Sequence, residues 1–223
     1  MMADKIGIYS IDKNCGKTTT VAFLAESFAT LSTNVLVVDL DPKNYFSKFL
    51  GLELKVSDRD QIQQVKIGQS AWKYLKVGQD LEKLLNKIKE FDTEYDYIIF
   101  DFPSFESESN TEVLKILNKV IIPIECEFFG IDQLNVTIEK ILEIENLKID
   151  GILLTKYDEK NQIMPNYIKF IKENFSDLIY NTIISRNYYL GLPNFTIENL
   201  NKYVPNVGFA DYLKLANEIQ NDK

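Results

Sequence analysis

The sequence predicts an α/β domain with a doubly wound, mostly parallel sheet flanked by helices. Three observations carry this. Short, continuous apolar runs recur along the chain without the alternation of a half-exposed strand, which is the pattern of strands buried on both faces. Between them lie stretches with apolar residues at three- and four-residue steps, the pattern of helices with one buried face. The first three runs end in chemically distinctive turns: Gly16-Lys17-Thr18 after the first, Asp39 and Asp41 at the second, Asp101 at the third. Ligands in open α/β sheets bind beyond the carboxyl ends of the strands, so these distant features converge on one edge.

The elements follow in order. "KIGIYSI" (5–11) reads as a buried strand. From Lys17 the period changes: Val21, Leu24, Ala25, Phe28 and Leu31 mark one apolar face of a helix. "NVLVVDL" (34–40) is a second strand, and "DYIIFDF" (96–102), "KVIIPIE" (119–125), "DGILLT" (150–155) and "IYNTII" (179–184) repeat the type. Helical stretches fall near 80–91, 109–117, 131–145, 163–175 and 209–221. Residues 52–79 stay open between a strand with a turn and an irregular excursion. At 223 residues, against a prior of about 150 per domain, the chain is expected to be a single domain spanning 1–223. It shows no internal repeat or linker.

Composition narrows the function. The net charge is −8 and only two residues, Arg59 and Arg186, are arginines. An acidic chain is a poor generic ligand for nucleic acid, whose non-specific affinity comes from Lys and Arg. His is absent and the two cysteines, Cys15 and Cys126, have no metal-type spacing, which argues against zinc. "MMADKIGIYSI" lacks a basic start and a long apolar run, and no apolar run approaches a membrane span. The expectation is a cytoplasmic protein with no membrane partner.

"SIDKNCGKTTT" (10–20) carries the sharpest chemistry. Its end fits a phosphate-binding loop of pattern G-x-x-x-x-G-K-[ST]. Gly16 lets backbone amides approach phosphate oxygens, Lys17 reaches the outer phosphates, and Thr18 ligates Mg²⁺. Its beginning departs, because Ile11 stands where the first Gly belongs. Asp101, after four apolar residues, can hold the Mg²⁺ water shell. Asp41, ahead of the stiffening Pro42, can orient an attacking water. Cys15 reads as filler of the loop.

"GKTTTVAFLAESFATLSTNVLVVDLDP" (16–42) resembles the opening of the ParA/MinD superfamily of deviant Walker ATPases, and within it the ParA/Soj partition proteins. "YDYIIFDFP" (95–103), "VIIPIECEFFGIDQL" (120–134), "GILLTKYDEKNQ" (151–162) and "NTIISRN" (181–187) resemble further blocks of that family in its order. The resemblance implies a P-loop ATPase fold and two chains sandwiching two ATP molecules. It assigns Lys17 and Asp41 to catalysis, and Lys13, Asn14, Cys15, Gly16, Lys17, Thr18, Thr19, Arg186 and Asn187 to ATP. It assigns Thr18, Asp39 and Asp101 to the Mg²⁺ surroundings. It also implies slow, partner-stimulated hydrolysis, a ParB-like or small centromere-binding adaptor, and a role in DNA partition or cargo positioning, with nucleoid association. DNA binding is expected to be weak and salt-sensitive, with Lys160, Lys169, Lys172 and Lys202 as the available cations and Tyr189 where a DNA-contacting Arg often stands. The loop departs from the family at its signature lysine, replaced by Asp12, with Lys13 and Asn14 in place of two glycines. That departure keeps two other readings open: a nucleotide-binding scaffold with lost or very slow hydrolysis, and a dethiobiotin-synthetase-like ligase.

Overall fold

The computed structural model describes residues 2–43, 45–53, 55, 59–67, 70–78, 80–104, 107–126, 130–187 and 209–221. Seven strands form one sheet: β1 (Asp4–Ile8), β2 (Val35–Asp39), β3 (Ile62–Ile67), β4 (Ser70–Lys76), β5 (Tyr97–Asp101), β6 (Lys119–Glu125) and β7 (Lys148–Thr155), in the order β3-β4-β2-β5-β1-β6-β7. Every pairing is parallel except β3 with β4. The helices are α1 (Lys17–Thr30), α2 (Tyr45–Phe49), α3 (Leu81–Phe91), α4 (Glu108–Leu114), α5 (Gly130–Leu142), α6 (Met164–Phe175) and α7 (Phe209–Asn221), with a short 3-10 turn at Ser176–Leu178.

Both faces of the sheet are covered. Ile6, Ile8, Val35, Val37 and Ile99 pack against α1 and α7. Leu36, Val38, Ile98, Phe100 and Ile122 pack against α3 to α6 on the other side. Neighbouring residues of one strand thus enter opposite cores, and both are apolar, which explains the continuous runs. Gly7 is required where β1 is crowded: a Cβ there would lie 2.6 Å from Leu117 Cδ1.

Within the open region, β3 and β4 pair antiparallel, and β4 adds to β2 in parallel register. Buried Glu26 of α1 accepts hydrogen bonds from Trp72 Nε1 (3.1 Å) and Ser70 Oγ, fastening β4 to the helix. Trp72 is 2% exposed and belongs to the core.

The expected strand 179–184 is a correction. It forms no strand, and meets β7 and the residues after it through isolated parallel bridges at Ile152–Ile179 and Tyr157–Ser185 and through the Ile184 amide, which donates to Leu154 O at 2.9 Å. The amides of Asn181 and Thr182 donate instead to the carboxylate of Glu218 on α7, at 2.6 and 3.0 Å. Successive amides drawn to one acceptor cannot both follow a ladder, in which successive amides point to opposite sides. The Tyr180 ring abuts Gly151, where a Cβ would come within 2.5 Å of it.

Candidate functional site

The turn after β1 is built on two left-handed residues, Asn14 (φ 67) and Gly16 (φ 93). Asn is the non-glycine residue most at ease there. Gly16 caps α1, and its carbonyl accepts from Thr20 N at 2.8 Å. Below the loop, Thr155 Oγ1 donates to Cys15 O (2.9 Å) and Ile124 O (3.0 Å), bolting the loop to β6 and β7. Cys15 is fully buried beneath the loop. Burial raises its thiol, so its side chain is neither reactive nor presented to a ligand and only its main chain can serve.

Lys17 is 6% exposed. Its Nζ donates to Asp12 O (2.5 Å) and Ser104 Oγ (2.9 Å) and lies 3.8 Å from Cys15 Sγ. All three acceptors are neutral, and among the described residues no carboxylate pairs with it. A desolvated ammonium without a counter-charge is costly. It lines a cavity of about 820 Å³ together with Lys13, Asn14, Gly16, Thr18 and Thr19. Among the described residues the cavity wall carries five cations, Lys13, Lys17, Lys43, Lys156 and Arg186, against one acid, Asp41. The chain is acidic overall, so this basic pocket is a local construction suited to a polyanion.

Thr18 Oγ1 donates to Asp101 Oδ2 at 3.0 Å. Asp101 Oδ1 is the one buried side-chain nitrogen or oxygen among the described residues without a hydrogen-bond partner. Burial, and then the nearby charge of Asp39, lifts the Asp101 carboxyl well above the usual carboxylate range, with Thr18 pulling only partly against it. A spare carboxylate oxygen beside a threonine hydroxyl fits a hard divalent cation such as Mg²⁺.

Asp39 turns out differently from its expected metal role. It is fully buried, and its oxygens accept from Tyr74 OH (2.8 Å), Lys76 Nζ (3.0 Å) and Asp41 N (2.9 Å). Lys76 also donates to Asp41 O. Asp39 therefore anchors the 39–41 turn rather than facing the cavity. Asp41 does face it, on a turn in which its Oδ1 accepts from Lys43 N at 2.8 Å. Asp12 is not among the residues that line the cavity. Its carboxyl is raised by burial, against the opposing charge of Lys17.

Arg186 and Asn187 line the far wall. Arg186 Nη2 donates to Glu125 Oε1 at 2.8 Å, and Lys156 Nζ to Glu125 Oε2 at 2.5 Å. Sequence reasoning missed Lys76, Ser104, Glu125 and Lys156. Lys76 lay in the unassigned 52–79 segment; the other three carry no local pattern and are recruited by strand register. Lys160, Lys169 and Lys172 are exposed and spaced, Lys169 facing Glu173 at 3.8 Å. Lys202 and Tyr189 lie outside the described residues.

The sequence profile of the family described as "CobQ/CobB/MinD/ParA nucleotide binding domain" matches residues 6–190. The chain is 29% identical to the chromosome partitioning protein ParA of Myxococcus xanthus over 92% of its own length and 83% of that protein. The cell division ATPase MinD of Pyrococcus furiosus shares its fold at TM-score 0.76 and 23% identity, each chain covered completely. The cobyrinic acid a,c-diamide synthase of Mycobacterium smegmatis, solved with an ATP analogue and magnesium, superposes at TM-score 0.75 and 19% identity, covering 96% of this chain and 93% of that one.

Proposed function

The chain belongs to the CobQ/CobB/MinD/ParA nucleotide-binding domain family, and from that premise we propose that it is a ParA-like ATPase, an ATP-dependent switch in DNA partition or cargo positioning. One observation carries the reading most: buried Lys17, without a carboxylate partner, opens onto a cationic cavity beside the Thr18–Asp101 pair and its spare oxygen.

The geometry supports a role for each residue. The amides of residues 14–19 and the positive end of α1 receive phosphate oxygens. Lys17 exchanges Asp12 O and Ser104 Oγ for the ligand's anionic oxygens, which removes the cost of its burial. Thr18 and Asp101 are the residues that would hold Mg²⁺, which when bound supplies neutralisation of phosphate charge. Asp41, held at the cavity edge by Lys76, orients a water toward the outermost phosphate and accepts its proton. Arg186 and Asn187 flank the nucleoside end.

Switching completes the reading. Slow hydrolysis, stimulated by a ParB-like or small centromere-binding adaptor, ends an ATP-ordered homodimer in the cytoplasm or on the nucleoid. No described helix is long and apolar enough to cross a membrane. Lys13 is exposed on the cavity rim and stands next to the position of the lost signature lysine. It is the cation available to reach a partner chain. Non-specific DNA binding is weak and falls steeply with salt.

Equilibrium titration and turnover assays test this. Lys17→Ala abolishes binding of magnesium ATP, while Asp41→Ala binds it and loses turnover. Unchanged binding by Lys17→Ala overturns the site. With a slowly hydrolysed ATP analogue in sedimentation, Lys13→Ala lowers dimerisation and Asp12→Lys raises it; no change in either removes the loop from dimer control.

A further inference from the structure

Glu125 does not line the cavity, yet it bridges two cations that do, Lys156 and Arg186. The bridge is set by backbone register. Glu125 ends β6 opposite Thr155, the residue before Lys156. Arg186 is brought alongside by the Tyr157–Ser185 bridge and by its own amide, which donates to Tyr157 O at 2.7 Å. Lys156 adopts a left-handed backbone (φ 56), a conformation rare for Lys that ends the strand's alternation. Each Glu125 oxygen takes one cation, Oε2 from Lys156 and Oε1 from Arg186. Burial raises this carboxyl, but the hydrogen bonds and charges of Lys156 and Arg186 outweigh burial and hold it below its ordinary value.

We propose that Glu125 is a positioning residue for nucleotide binding: from behind the wall it fixes Lys156 and Arg186 in the orientation that meets the bound nucleotide. The proposal rests on the reading of the cavity as a nucleotide site. Its sign separates it from simple electrostatics. By charge alone, removing a carboxylate near the cavity strengthens binding of a polyanion. By positioning, the same change weakens binding, because two long side chains lose the partner that holds them and must be ordered when the ligand arrives.

Calorimetric titration of the β,γ-imido analogue of ATP with Mg²⁺ decides it, using wild type, Lys17→Ala, Glu125→Gln, Lys156→Met/Arg186→Met, and the three substitutions of the last two variants combined. Thermal melting establishes that each is folded. Glu125→Gln is expected to bind about tenfold more weakly, the scale of one lost charge-assisted bond. The triple variant is expected to bind no worse than the double, because Glu125 acts only through those cations. Glu125→Gln binding equally or more tightly, with Lys17→Ala still abolishing binding, overturns the proposal and leaves the site intact. Wild type failing to bind overturns the site reading and the proposal with it. Should Glu125→Gln not fold, the double variant decides alone: wild-type affinity overturns the proposal, and a loss of about tenfold or more supports it.

Discussion

The cavity has two flanks with opposite electrostatic characters. At the ends of β2 and β5 lie three carboxylates, Asp39, Asp41 and Asp101; the buried ammonium of Lys76 pairs with the carboxylate of Asp39 and with the main-chain oxygen of Asp41, and Asp101 keeps one carboxylate oxygen unpaired. At the ends of β6 and β7, two cations, Lys156 and Arg186, share one carboxylate, Glu125, whose two oxygens are both engaged. The first flank is short of positive charge and the second has a surplus. A ligand that brings a cation to one side and anionic oxygens to the middle complements both, and magnesium-bound nucleotide is such a ligand. Burial differs as well. Lys76 and Asp39 have side-chain exposures of 2% and 0%, whereas Lys156 and Arg186 stand at 31% and 28%. The same pairing of Lys with a carboxylate is therefore structural on one flank and adjustable on the other.

That contrast breaks first at Lys76. Lys76→Met strips a fully buried carboxylate of its partner and should destabilise the fold by about 3–5 kcal/mol, read from denaturant unfolding. A loss below 1 kcal/mol would show that Tyr74 and the Asp41 amide suffice for Asp39. Asp101→Asn sharpens the comparison from the other direction. Burial raises the native carboxyl above its unfolded value, so its ionisation weakens the fold as pH climbs past that unfolded value. At neutral pH the substitution should therefore stabilise the ligand-free protein by about 1 kcal/mol, while magnesium-dependent nucleotide binding is lost. Equal or lower stability for Asp101→Asn would remove the claim that this flank is overcharged. Lys156→Met should change stability least, by about 0.5 kcal/mol or less, although it weakens nucleotide binding. A melting shift as large as that of Lys76→Met would erase the distinction between the flanks.

Legibility in the sequence divides along the same line. Strands β1, β2, β5, β6 and β7 were readable because each is buried on both faces and therefore continuously apolar. Lys17, Thr18, Asp41 and Asp101 were readable because each stands at or beyond the carboxyl end of such a strand: Lys17 and Thr18 open α1 after the loop that follows β1, Asp41 follows β2, and Asp101 closes β5. β3 was not, since its pattern is mixed on an antiparallel edge, with Ile62 exposed and Lys66 among its residues. With it went Lys76, which reaches the site only because β4 pairs with β2. The run 179–184 is apolar enough for a strand, but Glu218 captures its amides, and nothing local announces a carboxylate 36 residues away. Asp39 is placed near the metal by the family resemblance; the partner that claims it, Lys76, is 37 residues distant. The Glu125 bridge joins three segments, and its meaning exists only once β6, β7 and the 185 bridge are side by side.

The contact of Tyr180 with Gly151 has an evolutionary consequence. The ring occupies the space a side chain at 151 would need, and its hydroxyl is tied to Asp150 Oδ2 at 2.5 Å. Position 151 cannot gain a side chain while the ring stays. A lineage that acquires Ala or Ser at 151 must first or simultaneously trade the aromatic at 180 for something smaller, so the two sites should appear in natural relatives as a linked pair. Substitution histories at 151 and 180 would then mark, from sequences alone, which descendants keep the segment leading to Arg186 pressed against the sheet.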